Sequence, residues 1–155
     1  MRKDPRKWLS LSRTVHFGDV DAAGVVHFHN LLRWCHESWE QSLQAFGVSP
    51  QDVFPTSRIN GDYYPLVALP ITHCEADFRL PIKNGDQLKV FLAPQKIDFA
   101  RFQIETKFFC RDEYVAIGLL RHVAINSQTR KRTNLPEQID TWLELSSVNM
   151  GVREV

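Results

Sequence analysis

The spacing of hydrophobic and polar positions along this chain changes period twice, and each change marks a boundary between elements. Residues 9–17 (LSLSRTVHF) alternate loosely and predict a first strand. Residues 30–46 then follow steps of three and four. Leu32, Cys35, Trp39, Leu43 and Phe46 form one apolar stripe, which predicts a single helix. Asn30 can serve as its N-cap, and Gly47 stands where a C-terminal glycine belongs. Residues 48–65 contain Pro50, Pro55, Gly61 and Pro65 and predict an irregular connection with room for a short turn of helix.

Beyond residue 65 the period becomes two. Residues 66–80 predict a strand in which Pro70 forces a bulge or an edge position. Pro81 to Asp86 reads as a turn built on Asn84-Gly85. In residues 87–97, Leu88, Val90 and Leu92 oppose Lys89 and Phe91. In residues 101–110, Phe102, Ile104, Thr106, Phe108 and Cys110 oppose Arg101, Gln103, Glu105 and Lys107. Arg111-Asp112-Glu113 makes the next turn, residues 114–126 another strand, and Gln138 to Leu145 a short helix after Pro136. One strand, one long helix and four successive strands predict an α+β fold, with the helix packed on a curved antiparallel sheet. Leu32, Trp39 and Phe46 would fill the concave side. One helix covers only part of such a sheet, so association with a second copy is expected to protect its edges.

Composition narrows the classes. A chain of 155 residues with 43% hydrophobic and 24% charged residues is expected to form one domain, 1–155. The net charge of +1 gives no overall electrostatic case for nucleic acid or an anionic membrane, although Arg130-Lys131-Arg132 is a local basic cluster. No run approaches the ~18 apolar residues of a membrane helix, so a cytoplasmic location is expected. Cys35, Cys74 and Cys110 are odd in number, widely spaced and free of any CxxC, and they read as reduced, partly buried thiols.

The candidate chemistry lies between Thr14 and His36 (TVHFGDVDAAGVVHFHNLLRWCH). Two aspartates, Asp19 and Asp21, precede a small turn and then the helix start. Free N–H groups at a helix N-terminus can hold an oxygen that gains negative charge, while a nearby carboxylate attacks or takes a proton. Aspartate in this place is also a common turn former or cap, so both readings of Asp21 stand. His16, Asp19, Asp21, His27 and His29 match no zinc or iron spacing, and no metal is expected. Phe17, Phe28, Trp34, Tyr63 and Tyr64 are candidates for a flat apolar slot, with His16, His27 and His29 as polar partners; Trp34 and Trp39 also fit a core. Gly24 lets the backbone pass close to a ligand, with Val25 beside it.

Phe17, Asp19, Asp21, Gly24, Val25, Val26, His27, Phe28 and Asn30 together resemble the signature of the hotdog-fold acyl-CoA thioesterases, in the 4-hydroxybenzoyl-CoA thioesterase branch. Strand and turn order extends the likeness over most of residues 9–135. The stretch PLVALPITHCEADFRLPIKNGD is most similar to a cyanobacterial subfamily, the 1,4-dihydroxy-2-naphthoyl-CoA hydrolases of phylloquinone synthesis. The resemblance implies a hotdog fold, hydrolysis of an aromatic acyl-CoA, and no cofactor beyond the coenzyme A of the substrate. It implies Asp21 as the catalytic acid, the second of the pair, with Asp19 structural. It implies the backbone N–H of Phe28 or a neighbour as the group that polarises the thioester carbonyl. It places the site at a subunit interface of a homodimer or homotetramer, with basic coenzyme A contacts at Arg101 and at Arg130, Lys131 and Arg132. The last three also suit a solvated turn. Where the 4-hydroxybenzoyl enzyme has basic residues before its third long strand, this chain has Ile97-Asp98-Phe99-Ala100.

Three other functions compete. One is a short-chain or general acyl-CoA thioesterase of the same fold. A hydratase reading lacks support, because Asp21-Ala22-Ala23-Gly24 has no Asn-Pro. The non-enzyme alternative is an acyl-CoA-binding module. Glu37 and Glu40, where a related branch keeps its acid, read as a solvated or interface-facing side of the helix.

Overall fold

The computed structural model describes residues 4–54, 57–59 and 62–147; the side chains of 57–59 and 62–64, and so those of Tyr63 and Tyr64, lie outside the described residues. In chain order the elements are α1 (Arg6–Leu9), β1 (Ser10–Thr14), α2 (Phe28–Phe46), β2 (Ser57–Ile59), β3 (Asp62–Tyr64), β4 (Val67–Ala68), β5 (Ile71–Phe78), β6 (Gln87–Lys96), β7 (Arg101–Cys110), β8 (Glu113–Val123), β9 (Ile125–Asn126) and α3 (Glu137–Ser147). The main sheet has five strands in the order β1-β6-β7-β8-β5, and every neighbouring pair is antiparallel. α2 lies across it and touches all five strands. This is the α+β arrangement that the hydrophobic pattern predicts, and it agrees with the hotdog fold that the resemblance implies.

Alternation decides the sheet. Phe102, Ile104, Thr106 and Phe108 of β7 are buried while the residues between them are half-exposed. β7 and β8 are joined by a two-residue hairpin at Arg111 and Asp112, both at positive φ (50° and 65°), the conformation a tight hairpin needs to match strand twist. Pro70 does interrupt its strand. β4 ends before it and pairs with β9, β5 begins after it and pairs with β8, and the register shifts between Ile71 and His73. β5 is an edge strand, and seven of its eight residues are exposed on one face or the other.

Three expectations are corrected. The first strand stops at Thr14, because the Asp19 carboxylate accepts from the His16 N–H (2.9 Å) and curls Phe17–Asp19 into a 3-10 turn. The helix starts at Phe28 with His27 as its cap; the Asn30 side chain is drawn inward instead, donating to the Asp19 carbonyl (2.8 Å). The buried stripe is offset from the expected one. Leu31, Trp34, Cys35, Trp39 and Leu43 meet the sheet, whereas Leu32 and Phe46 are only half-buried. Ser38 and Ser42 share the buried face, and Ser42 is satisfied by the Trp142 indole N–H (3.1 Å). The helix ends as read: Gly47 at φ 112° donates to Leu43 and Gln44 carbonyls.

Trp8 of α1, Trp39 and Trp142 of α3 close the far end of the core around the C-terminal half of α2. The near end, where α2 begins, carries the Asp21 loop. Among the described residues no helix is long and apolar enough to cross a membrane.

Candidate active site

Asp21 stands at the tip of a small hairpin whose base feeds directly into α2. Val20 and Val26 form an antiparallel bridge, and the Asp21 N–H donates to the Val25 carbonyl (2.8 Å). Gly24, at φ 79°, completes the turn and donates to the Asp21 carbonyl (3.0 Å). One carboxylate oxygen, Oδ1, accepts from the Ala23 N–H (2.7 Å) and the Val25 N–H (3.4 Å). The other oxygen, Oδ2, has no partner among the described residues, and the side chain is exposed. Asp21 therefore forms the turn with one oxygen and presents the other outward.

The loop is clamped to the helix by Asp19, which is only 7% exposed. Its carboxylate takes the Arg33 guanidinium (3.0 Å) as well as the His16 N–H, and its carbonyl takes Asn30 and the His27 N–H (3.4 Å). Arg33 also pairs with Glu37, which holds Arg13, and the Arg13 guanidinium lies over the Trp34 ring (5.1 Å). These are the loop-holding contacts expected of Asp19, and Glu37 is held in the same network.

At the helix start the leading N–H groups lack intrahelical partners. The His29 N–H donates to His27 Nδ1 (3.2 Å), and those of Asn30 and Leu31 reach the His27 carbonyl (3.0 and 3.4 Å). The Phe28 N–H has no acceptor among the described residues, so it is open to an incoming oxygen. The helix dipole adds partial positive charge at the same place.

Beside this lies an open groove of about 310 Å³ lined by Val25, Val26, Phe78, Arg79, Leu80 and Ile82, together with Pro81. The Val26 N–H donates to the Ile82 carbonyl (2.8 Å), and Val25 bridges to Lys83, so the turn after β5 is fixed against the Asp21 loop. The groove opens at the end of the β5 edge. Phe78, Arg79 and Leu80 were not legible as site residues. Their one signal is the apolar-basic-apolar run just ahead of the Pro81 turn.

The remaining candidates scatter. Phe17 is 80% exposed on its 3-10 turn and does not line the groove. Trp34 is fully buried against Phe108, so it belongs to the core and cannot form a slot. His27 and His29 are exposed at the helix start, with their rings in contact. Arg101 directs its Nε to Asp98 (2.8 Å). Hydrogen bonds from the Ala100 N–H and then from Arg101 hold the Asp98 carboxyl below the usual carboxylate range. Arg130, Lys131 and Arg132 are exposed on a turn that Asn126 organises, its Oδ1 accepting from Gln128 and Thr129 N–H groups and its own N–H reaching the Lys131 carbonyl. None of the three forms an ion pair among the described residues. The basic turn is tied to the Ala100 end of β7 through Ala124 (2.7 Å), whereas the Asp21 loop lies at the Cys110 end. Ten residues of β7 separate the two ends, about 30 Å at the usual strand rise. Within one chain the acid and the basic turn are at opposite ends of the sheet.

Among the described residues no group of three or more His, Cys, Asp or Glu side chains is placed to hold a metal. The three cysteines are free. Cys74 is exposed rather than partly buried, and burial pushes the Cys35 thiol up to about 12, which removes it from chemistry at neutral pH.

Known proteins resemble this chain over nearly its whole length. The chain is 54% identical over 145 residues to the 1,4-dihydroxy-2-naphthoyl-CoA hydrolase of Prochlorococcus marinus (strain MIT 9313), covering 94% of this chain and 95% of that protein. It is 49% identical over 148 residues to the protein of the same description from Synechococcus sp. (strain WH7803), covering 96% of each. A crystal structure from the same Prochlorococcus strain superposes with a TM-score of 0.88 at 54% identity, over 93% of this chain and 99% of that one. The crystal structure of a 1,4-dihydroxy-2-naphthoyl-CoA thioesterase from Synechocystis gives 0.78 at 29% identity, over 87% and 94%. The model of the thioesterase-like superfamily matches residues 15–143, from the strand end before Asp19 to the middle of α3, and the chain belongs to that family.

Proposed function

We propose that this protein hydrolyses an aromatic acyl-CoA thioester to the free acid and coenzyme A, with 1,4-dihydroxy-2-naphthoyl-CoA as its substrate. One observation carries the reading: an open carboxylate oxygen of Asp21 stands on a loop clamped to the start of α2, where the Phe28 N–H is unpaired and an apolar groove begins. A thioester carbonyl whose oxygen accepts from Phe28 exposes its carbon to Asp21. Asp21 then attacks it directly, giving a mixed anhydride that a water cleaves to the free acid and the restored carboxylate, or it takes a proton from a water that attacks the carbonyl carbon itself. Negative charge gathers on the carbonyl oxygen and is held by the N–H and the helix dipole, and the sulfur leaves as the coenzyme A thiolate. Losing one such donor typically costs about 3 kcal/mol of transition-state stabilisation. No group beyond the coenzyme A of the substrate is required. The descriptions of the relatives support the acyl group.

The site is completed by a second copy. β5 is an exposed edge running from Ile71, at the basic-turn end, to Phe78, at the groove. Twofold pairing of β5 with its counterpart sets these ends against each other. The acid of one chain then faces the basic turn of the other, on a span suited to pantetheine and nucleotide. Arg130, Lys131 and Arg132 hold the phosphates, within a dimer that stands alone or inside a tetramer. The enzyme acts in the cytoplasm.

The test is thiol release from a panel of CoA esters. Faster turnover of 1,4-dihydroxy-2-naphthoyl-CoA and benzoyl-CoA than of butyryl-CoA is expected. Preference for butyryl-CoA would make the protein a general short-chain thioesterase, and binding without turnover of any ester would make it a binding module.

A further inference from the structure

The two histidines at the start of α2 constrain each other's protons. His27 Nδ1 accepts from the His29 backbone N–H at 3.2 Å, so this nitrogen carries no hydrogen. His29 Nδ1 is in hydrogen-bond contact with the same atom, and with His27 Nδ1 already an acceptor, His29 must be the donor. The rings lie 4.5 Å apart. Neutral His27 is thereby fixed with its hydrogen on Nε2, and His29 with its hydrogen on Nδ1. His27 Nε2 has no partner among the described residues and the ring is exposed. In the chain His27 stands between Val26, which lines the groove, and Phe28, whose N–H is free.

We infer that His27 is a specificity-determining residue, whose Nε2–H donates to a hydroxyl oxygen on the aromatic ring of the acyl group, and that His29 is a positioning residue whose side chain holds the His27 ring in the orientation able to do so, the tautomer itself being set by the backbone N–H. The inference rests on the thioesterase reading above and deepens it. An acyl group held with its carbonyl oxygen at the Phe28 N–H extends along the groove past the preceding residue. A ring substituent near the carbonyl then meets the His27 side chain. A lone donor of this kind discriminates because an ester without the hydroxyl leaves it unanswered when the groove is filled.

The experiment compares 1-hydroxy-2-naphthoyl-CoA with 2-naphthoyl-CoA, which differ by the one hydroxyl, and reads the ratio of their kcat/KM values. His27→Ser keeps an oxygen that can cap the helix but does not reach the ring. In this variant the ratio should fall about tenfold, whatever happens to the two rates in common. His29→Ala should lower the ratio part of the way, and His29→Asn, whose amide can still donate to His27, should restore much of it. A general disturbance of the helix start would slow both esters alike and leave the ratio at the wild-type value; that result in His27→Ser overturns the inference. A ratio unchanged in His29→Ala, in a protein with a wild-type melting curve, overturns the positioning role. If the wild type hydrolyses neither ester, the thioesterase reading itself falls. Hydrolysis of both with an unaltered ratio in the variants removes only the role given to the histidines.

Discussion

The Cys35 sulfur occupies the space that a side chain on Gly118 would need: a Cβ built on that glycine would lie 2.2 Å from Sγ. This contact sets how closely α2 approaches β8, and so how the helix start sits over the sheet edge. Gly118 has no side chain because the helix supplies the filling atom. Gly118→Ala should destabilise the protein by about 1–3 kcal/mol through overpacking. The double variant Gly118→Ala with Cys35→Ala should recover part of the loss, since the next atom of Cys35 is 3.7 Å from the new Cβ. Urea unfolding of the single and double variants measures the coupling.

His122 makes stability depend on acidity. The ring is fully buried, stacked on Phe102 (5.0 Å) and edge-on to Trp39 (4.9 Å). Burial, and then the nearby His36, push it down to about 4, against the opposing pull of the Leu69 carbonyl. Its Nδ1 faces that carbonyl (2.9 Å), whereas Nε2 has no partner among the described residues. The unfolded chain therefore binds a proton at His122 near pH 6.5, which the folded chain refuses until about pH 4. The stabilisation from the neutral ring is full above pH 6.5 and is lost as pH falls from there through 4. The loss amounts to about 3 kcal/mol at most. Urea midpoints should decline across this window in the wild type and decline less in His122→Phe, which keeps the stacking and removes the proton site.

The separation of acid and basic turn leads to a test with mixed subunits. Replacing Arg130, Lys131 and Arg132 by alanine should raise KM for CoA esters more than it lowers kcat. Asp21→Asn should lack turnover. Mixing the two proteins with exchange of subunits should raise KM-limited activity above the sum of the parts, because one site in each mixed dimer then has an intact acid from one chain and an intact basic turn from the other. No gain on mixing would place both elements of a site in the same chain.

Much of this arrangement is legible in the sequence. The period-two runs of β6, β7 and β8 and the Gly47 stop are local signals, set by alternation and by a left-handed backbone. What was not legible depends on competition between partners. Histidine is not a usual cap, so the sequence points to Asn30 for the helix start; in the fold the Asn30 amide is taken by the Asp19 carbonyl and His27 fills the role. The buried stripe had two registers, and only the sheet chooses Leu31 and Trp34 over Leu32. Phe17 read as strand because the pull of the Asp19 carboxylate on His16 is invisible to periodicity. The resemblance gives Arg101 as a coenzyme A contact and does not show its pairing with Asp98, which lies across a turn whose geometry the sequence does not state. The groove joins Val25 and Val26 to residues more than fifty positions away, a contact that no spacing rule contains.

The most direct measurement is thioester turnover by Asp21→Asn. Asparagine keeps an oxygen that can accept from the Ala23 N–H, so the loop and the melting curve should survive while the negative charge is gone. The account predicts that hydrolysis of 1,4-dihydroxy-2-naphthoyl-CoA falls by about a hundredfold or more, with circular dichroism unchanged. Wild-type rates in that variant would contradict it.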